Sequence, residues 1–181
     1  MPLCGLADSS LTPPLVTLVT LGALVSSGVR QRAGGLGMTK LRDIMRPGFV
    51  FTVPRHATVG EATRLMSVEN VGIVSVVEGG RLVGVFSERD VTRRVVAQGL
   101  DPDRIRVGDV MTTDLIVADA DEDYQSAMLK MDQANIRHLP VVSDGRLLSM
   151  LSIRDLMRVH IDHQGEELRY LHEYLYQVPS A

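Results

Sequence analysis

Serine and aspartate recur at one spacing in two places. Ser87-Glu88-Arg89-Asp90 follows an apolar run ending in Phe86, and Ser152-Ile153-Arg154-Asp155 follows another ending in Leu151. Two kinds of chemistry use these residue types at this spacing. The first is structural: a serine with an acidic residue three positions on is a helix-start signature, and such a cap stabilises its helix by about 1 kcal/mol with no ligand. The second is recognition. Where a helix opens directly after a strand, backbone N–H groups and the helix dipole point outward together, which suits a phosphate, and the serine hydroxyl is a further donor. Asp90 and Asp155 can accept two hydrogen bonds from a vicinal diol such as the ribose 2′- and 3′-hydroxyls. Arg89 and Arg154 can add charge-assisted bonds to the phosphate. Either motif alone reads as a cap, so the surroundings must decide.

Those surroundings are duplicated. The motifs stand 65 residues apart, and at that offset VEGGRLVGVFSERDVTR aligns with VSDGRLLSMLSIRDLMR. Upstream, Ala62, Met66 and Asn70 meet Ala127, Met131 and Asn135; after one residue of slippage Asp43 and Met45 meet Asp109 and Met111. Each copy predicts strand, helix, strand, turn, strand, helix, an α/β (α+β) arrangement. In the first copy the strands are Phe49–Val53, Gly72–Val77 and Leu82–Phe86, and Thr58-x-x-Glu61 is a capping box for a helix carrying Val59, Ala62, Leu65 and Met66. Glu78-Gly79-Gly80 is a hairpin turn, and a second helix spans Glu88–Ala97 and stops near Gly99. The second copy predicts strands Asp114–Val117, His138–Val142 and Leu147–Leu151, with helices Ala127–Met131 and Ile153–Val159.

Units of about 55–60 residues are marginal for burying a core alone. The two copies are therefore expected to pack together about a pseudo-twofold axis. A slot lined by Val53, Ile73 and Val74, or by Ile116, His138 and Leu139, would suit a flat apolar base. Diol, phosphate and base together describe a nucleoside phosphate.

A duplicated β-α-β-β-α unit with Gly-x-x-Ser-x-x-Asp at its last strand-to-helix junction resembles a tandem pair of CBS domains, the modules named after cystathionine β-synthase. The resemblance covers roughly Met38 to Val159 and is strengthened by DIMRPG, DVMTTD and IRHLPVVSDGRLLSMLSIRDL. FSERDVTRRVVAQG followed by GDVMT is similar to stand-alone pairs that carry no attached enzyme or transporter. The resemblance implies CBS domains at 38–99 and 100–159 and a C-terminal helix and tail at 160–181. It further implies a disc-like module, usually a homodimer, that is a non-enzymatic sensor of adenine nucleotides: AMP, ADP or ATP, and sometimes S-adenosylmethionine or NAD(H). It passes the ribose grip to Asp90 and Asp155, the phosphate contact to Ser87 and Ser152, and the base pocket to Thr52, Val53, Gly72, Ile73 and Val74 in the first copy. In the second copy the base pocket falls to Ile116, Val117, Arg137, His138 and Leu139. Gly84 and Gly72 in the first copy are expected to let a ligand approach the backbone, whereas the second copy has Ser149 and Arg137 there.

Other readings are weaker. The net charge of −3 offers no global basic field for nucleic acid, leaving Arg89, Arg93, Arg94, Arg104 and Arg106 as a local patch. A single cysteine, Cys4, cannot form an internal disulfide, which points to a reducing, cytoplasmic setting. No nucleophile elbow accompanies the Ser, His and Asp residues, so catalysis is not expected. His160, His163 and His172 lack the partners of a metal site and read as part of a solvated helix. On that segment Leu168, Leu171 and Leu175 recur at helical spacing, as a core or dimer-docking stripe. The alternatives to a nucleotide sensor are a ligand-free dimeric scaffold, a regulator of thioredoxin-like redox partners and a nucleic-acid binder. Residues 1–37 read as a leader or as an extension upstream of translation from Met38. Within them Leu15–Val29 is apolar but shorter than the roughly 20 residues that span a membrane, so membrane association would require residues 11–29 to insert.

Overall fold

The computed structural model describes residues 39–45 and 50–176. Residues 1–37, with their apolar stretch, lie outside the described residues. In chain order the elements are α1 (Leu41–Ile44), β1 (Thr52–Pro54), α2 (Val59–Glu69), β2 (Ile73–Glu78), β3 (Arg81–Ser87) and α3 (Glu88–Asp90). A π-helical turn, Val91–Val95, and a 3-10 turn, Val96–Gln98, continue α3. Then come α4 (Val107–Val110), β4 (Ala118–Asp119), α5 (Tyr124–Gln133), β5 (His138–Ser143), β6 (Arg146–Ser152) and α6 (Ile153–Tyr176). The fold is mixed α+β: two three-stranded sheets, ordered β1-β2-β3 and β4-β5-β6, each with one parallel and one antiparallel pair.

Local chemistry accounts for most of these boundaries. Glu61 N–H donates to Thr58 Oγ1 (3.1 Å) while Thr58 N–H donates to Glu61 Oε2 (2.8 Å), so two otherwise unpaired donors are satisfied where α2 begins. Asn70, at the end of α2, and its repeat mate Asn135 both sit in the left-handed region, at φ 54° and 52°, a conformation asparagine tolerates better than most residues. The hairpin turns Gly79-Gly80 and Asp144-Gly145 have positive φ at both positions, the geometry that matches the twist of the flanking strands.

Three expectations need correction. The first strand is Thr52–Pro54, later than Phe49–Val53, and Phe49 itself lies outside the described residues. The first strand of the second copy is Ala118–Asp119, not Asp114–Val117. The cause is upstream: Thr112 exchanges both backbone hydrogen bonds with Val85 of β3 (2.9 and 3.0 Å), which ties the chain to the first sheet, and residues 113–117 then cross to the second. Finally, the helix after the second motif does not stop at Val159 but continues unbroken to Tyr176.

The hydrophobic cores do not follow chain order. Val53, Val59, Ala62, Leu65, Met66, Val74, Val76, Phe86 and Val95 of the first copy are joined by Val107 and Met111. The core of the second copy, around Tyr124, Ala127, Met131, Leu139, Val141, Leu151 and Leu156, is joined by Leu41. Backbone bonds hold each crossover: Val107 N–H to Ala57 O (2.8 Å) and Gly108 N–H to Arg55 O (2.9 Å) for α4; Leu41 N–H to Glu122 O and Arg42 N–H to Ala120 O (both 2.9 Å) for α1. Each short opening helix thus caps the other copy. At the hairpin end the sheets touch directly, Leu82 N–H donating to Gly145 O at 3.3 Å.

Among the described residues no helix is long and apolar enough to cross a membrane, and no group of three or more His, Cys, Asp or Glu side chains is placed to hold a metal ion.

Candidate functional site

Both motifs border one cleft of about 930 Å³, the first through Ser87 and Asp90 and the second through Ser152. Its walls repeat at the offset of the sequence duplication. Asn70, Val71, Gly72, Ile73, Val85, Ser87, Glu88 and Arg89 come from the first copy; Asn135, Ile136, Arg137, His138, Met150, Ser152, Ile153 and Arg154 come from the second. Phe51, Ser75, Asp90, Thr92 and Thr112 extend the first-copy side.

The motifs form complete capping boxes. Ser87 N–H and Oγ–H both donate to Asp90 Oδ2 (2.9 and 2.7 Å), and Asp90 N–H donates to Ser87 Oγ (3.3 Å). Ser152 and Asp155 repeat this, at 3.0, 2.6 and 3.4 Å. The copies differ behind the motif: Arg94 Nε lies 3.3 Å from Asp90 Oδ1, one helical turn on, and its Nη1 donates to Val110 O at 2.6 Å. Asp90 is therefore held from both sides by its own chain. Its Oδ2 already accepts both Ser87 bonds and its Oδ1 faces Arg94, so one acceptor position is open; accepting a diol's second hydroxyl requires the Ser87 hydroxyl to turn away from Oδ2.

Not every predicted contact residue reaches the cleft. Gly72, Ile73, Ser87, Arg89 and Asp90 line it, as do Arg137, His138, Ser152 and Arg154. Val74 and Leu139 are buried in the two cores instead. Successive strand residues point to opposite faces, so Val74 cannot share a wall with Ile73, nor Leu139 with His138. Val53 also belongs to the first core, and Thr52 is buried in β1 opposite Ser75. Ile116 and Val117 lie in the crossing segment before β4, Ile116 exposed, and neither borders the cleft. Asp155 does not border the cleft; its carboxylate accepts from Ser152, which does. Gly84 faces the crossover, not the cleft: a Cβ there would collide with Met111 Sδ and come within 3.1 Å of the Thr112 carbonyl. That glycine makes room for the crossover. Counting back two from each motif serine would have found Val85 and Met150, which share its strand face; nothing in the local sequence announces Phe51 or Thr112.

Two polar features distinguish the cleft. Ser75 is buried, and its Oγ has no hydrogen-bond partner among the described residues. It lies on the β2 face opposite core residues Val74 and Val76 and pairs across the sheet with Val85, two positions before Ser87. Its repeat mate is Pro140, so this hydroxyl belongs to the first-copy side alone. Charge is the second feature. Arg89, Arg137 and Arg154 form no ion pair among the described residues, and Glu88 and Asp90 are the cleft's acidic members.

His138 sits among these cations. Burial, then Arg137, lowers its pKa from the ordinary imidazole value; Arg154 acts the same way and Asp155 opposes them. With the native pKa below the unfolded one, the unfolded chain takes up this proton first. Stability is therefore unaffected well above about pH 6.5 and falls as pH drops through and below that value. His138→Gln is expected to flatten the decline in melting temperature between about pH 7.5 and 5. An unchanged slope would show that other groups set the acid sensitivity.

Comparison with known proteins agrees with this geometry. The CBS domain family matches residues 41–97 and again 107–162. The chain is 32% identical over 157 residues to the CBS domain-containing protein CBSX3, mitochondrial, of Arabidopsis thaliana, covering 81% of this chain and 76% of the relative. A CBS domain protein of Pyrobaculum aerophilum complexed with AMP is 32% identical, with a TM-score of 0.59 over 65% of this chain and 89% of that one. The CBS domain pair of protein MJ0100, in complex with 5-methylthioadenosine and S-adenosyl-L-methionine, is 25% identical, with a TM-score of 0.63 over 70% and 99%. Two family matches in tandem, and relatives aligned across both, lead to one conclusion: this chain belongs to the CBS domain family, as a tandem pair.

Proposed function

We propose that the protein is a non-enzymatic regulatory module that binds an adenine nucleotide, AMP, ADP or ATP, in the cleft between its paired CBS domains. The observation that carries this reading is the cleft itself: it joins Ser87 and Asp90 of one motif, Ser152 of the other, three arginines without ion-pair partners among the described residues and an apolar wall in one volume. Arg89 and the Ser87 hydroxyl would meet phosphate, and Asp90 the ribose diol. Two residues along the strand at about 3.3 Å each and one inter-strand spacing of about 4.8 Å place Ser75 some 8 Å from Ser87. A base between Phe51 and Val85 would bring a ring nitrogen or amino group to its unsatisfied hydroxyl. The relatives crystallised with AMP or with adenosyl compounds support the ligand class. Regulation would follow if the nucleotide binds one arrangement of the two copies more tightly than another, since only differential affinity shifts a conformational equilibrium.

The test is calorimetric titration and thermal unfolding with AMP, ADP and ATP, beside Asp90→Ala. At a nucleotide concentration 100 times the dissociation constant, the wild type is expected to gain about 2.7 kcal/mol of stability. Asp90→Ala, which costs about 1 kcal/mol as a lost cap, is expected to lose most of that gain. The completeness of the capping boxes favours one rival, a ligand-free interaction scaffold. An absence of any shift at millimolar nucleotide would establish that rival and overturn the proposal.

A further inference from the structure

The second half of α6 leaves the body of the protein. Its first turns are anchored: Leu156 is fully buried, His160 Nδ1 lies 3.4 Å from the Tyr124 hydroxyl, and His163 Nε2 lies 3.2 Å from Thr39 Oγ1. From Gln164 to Tyr176 every residue is exposed, a projection of about 20 Å at 1.5 Å per residue. A helix of this length is marginal in water without tertiary support, and Gly165 at its start lowers its intrinsic helicity further. It nevertheless carries an apolar stripe, with Ile161, Leu168, Leu171 and Leu175 each more than half exposed.

The stripe has a period. Met157, Ile161, Gln164, Leu168, Leu171 and Leu175 are spaced 4, 3, 4, 3 and 4 apart, which is the alternating a and d spacing of a heptad seam with Ile161, Leu168 and Leu175 at a. A single polar residue, Gln164, occupies d, the kind of interruption that lowers stability while fixing register. The flanking positions say which helix fits. In a parallel pair, position g of one helix meets position e of the next heptad on the other; here those are Glu167 and His172, an acid against a base. The same register gives a seam that is its own complement, Leu168 against Leu168 and Leu171 against Leu171.

We propose that the projecting half of α6 pairs with the same helix of a second copy as a parallel, two-stranded coiled coil, so that two CBS pairs are joined through their C-terminal helices. This pairing does not depend on nucleotide binding. It is tested on the full chain by sedimentation equilibrium, comparing the wild type with Leu168→Asp/Leu171→Asp. Both leucines are exposed in the single chain, so the variant keeps its fold, which circular dichroism checks. A wild-type dimer weakened roughly a hundredfold or more by the double substitution is the expected result, because each chain loses two apolar side chains from the seam. A second arm sets orientation: in a Cys4→Ser background, Leu171→Cys is expected to cross-link quantitatively under mild oxidation, since d residues face each other only in the parallel register. A monomeric wild type, or a dimer indifferent to the Leu168 and Leu171 changes, overturns the proposal. Weakening by Leu168→Asp/Leu171→Asp with no cross-link in the Leu171→Cys variant overturns the parallel arrangement.

Discussion

Phe86→Ala is expected to lower the unfolding free energy by about 3–5 kcal/mol, the range for truncating a buried phenylalanine. Phe86 is fully buried and is among the largest side chains in the first core, packed with α2 residues and with Val107 and Met111 of the crossover. It also stands immediately before Ser87, so the cavity it leaves lies under the first motif. The effect should therefore appear twice: as a lower denaturant midpoint in urea, and as weaker nucleotide stabilisation at concentrations where the variant remains folded. A loss below about 1 kcal/mol would mean that the core collapses to fill the space. It would also mean that Phe86 does not hold the first motif in place.

Leu41→Ala is expected to cost about 2–5 kcal/mol, although Leu41 lies in a four-residue helix ahead of the first strand. The reason is its destination. Leu41 is fully buried in the core of the second copy, where its backbone N–H also bonds Glu122 O. Hydrogen exchange separates this from an effect on the neighbouring copy: protection should fall first in β5 and β6, which share that core, before β2 and β3. If β2 and β3 lost protection first, the crossover of α1 would be wrong. The same logic explains why the copies are mutually dependent. Each closes its core with a segment belonging, by sequence, to the other, and neither is large enough to dispense with it.

The repeat, its strand and helix order, the capping boxes and the hairpin turns were legible in the chain because they arise from interactions within a few residues. Thr58 reaches Glu61 and Ser87 reaches Asp90 three positions away, and Gly79-Gly80 or Asp144-Gly145 carry their turn geometry in their own backbones. The 65-residue offset then placed the two motifs in equivalent positions, and the resemblance to CBS domains followed from the residues they share. Contacts between distant segments decided the rest. Gly84 reads as a gap left for a ligand, but its space is filled by Met111 and the Thr112 carbonyl. Asp114–Val117 has the composition of a strand, yet the pairing of Thr112 with Val85 pulls the chain past it to Ala118. Strand alternation moved Val74 and Leu139 into the cores and brought Ser75 to the cleft, where its hydroxyl stands unpaired among the described residues. Composition announces which residues bury themselves. Which neighbour they bury against is settled only when the two sheets and their exchanged helices close on each other, because that choice depends on the shape of segments far away in the chain.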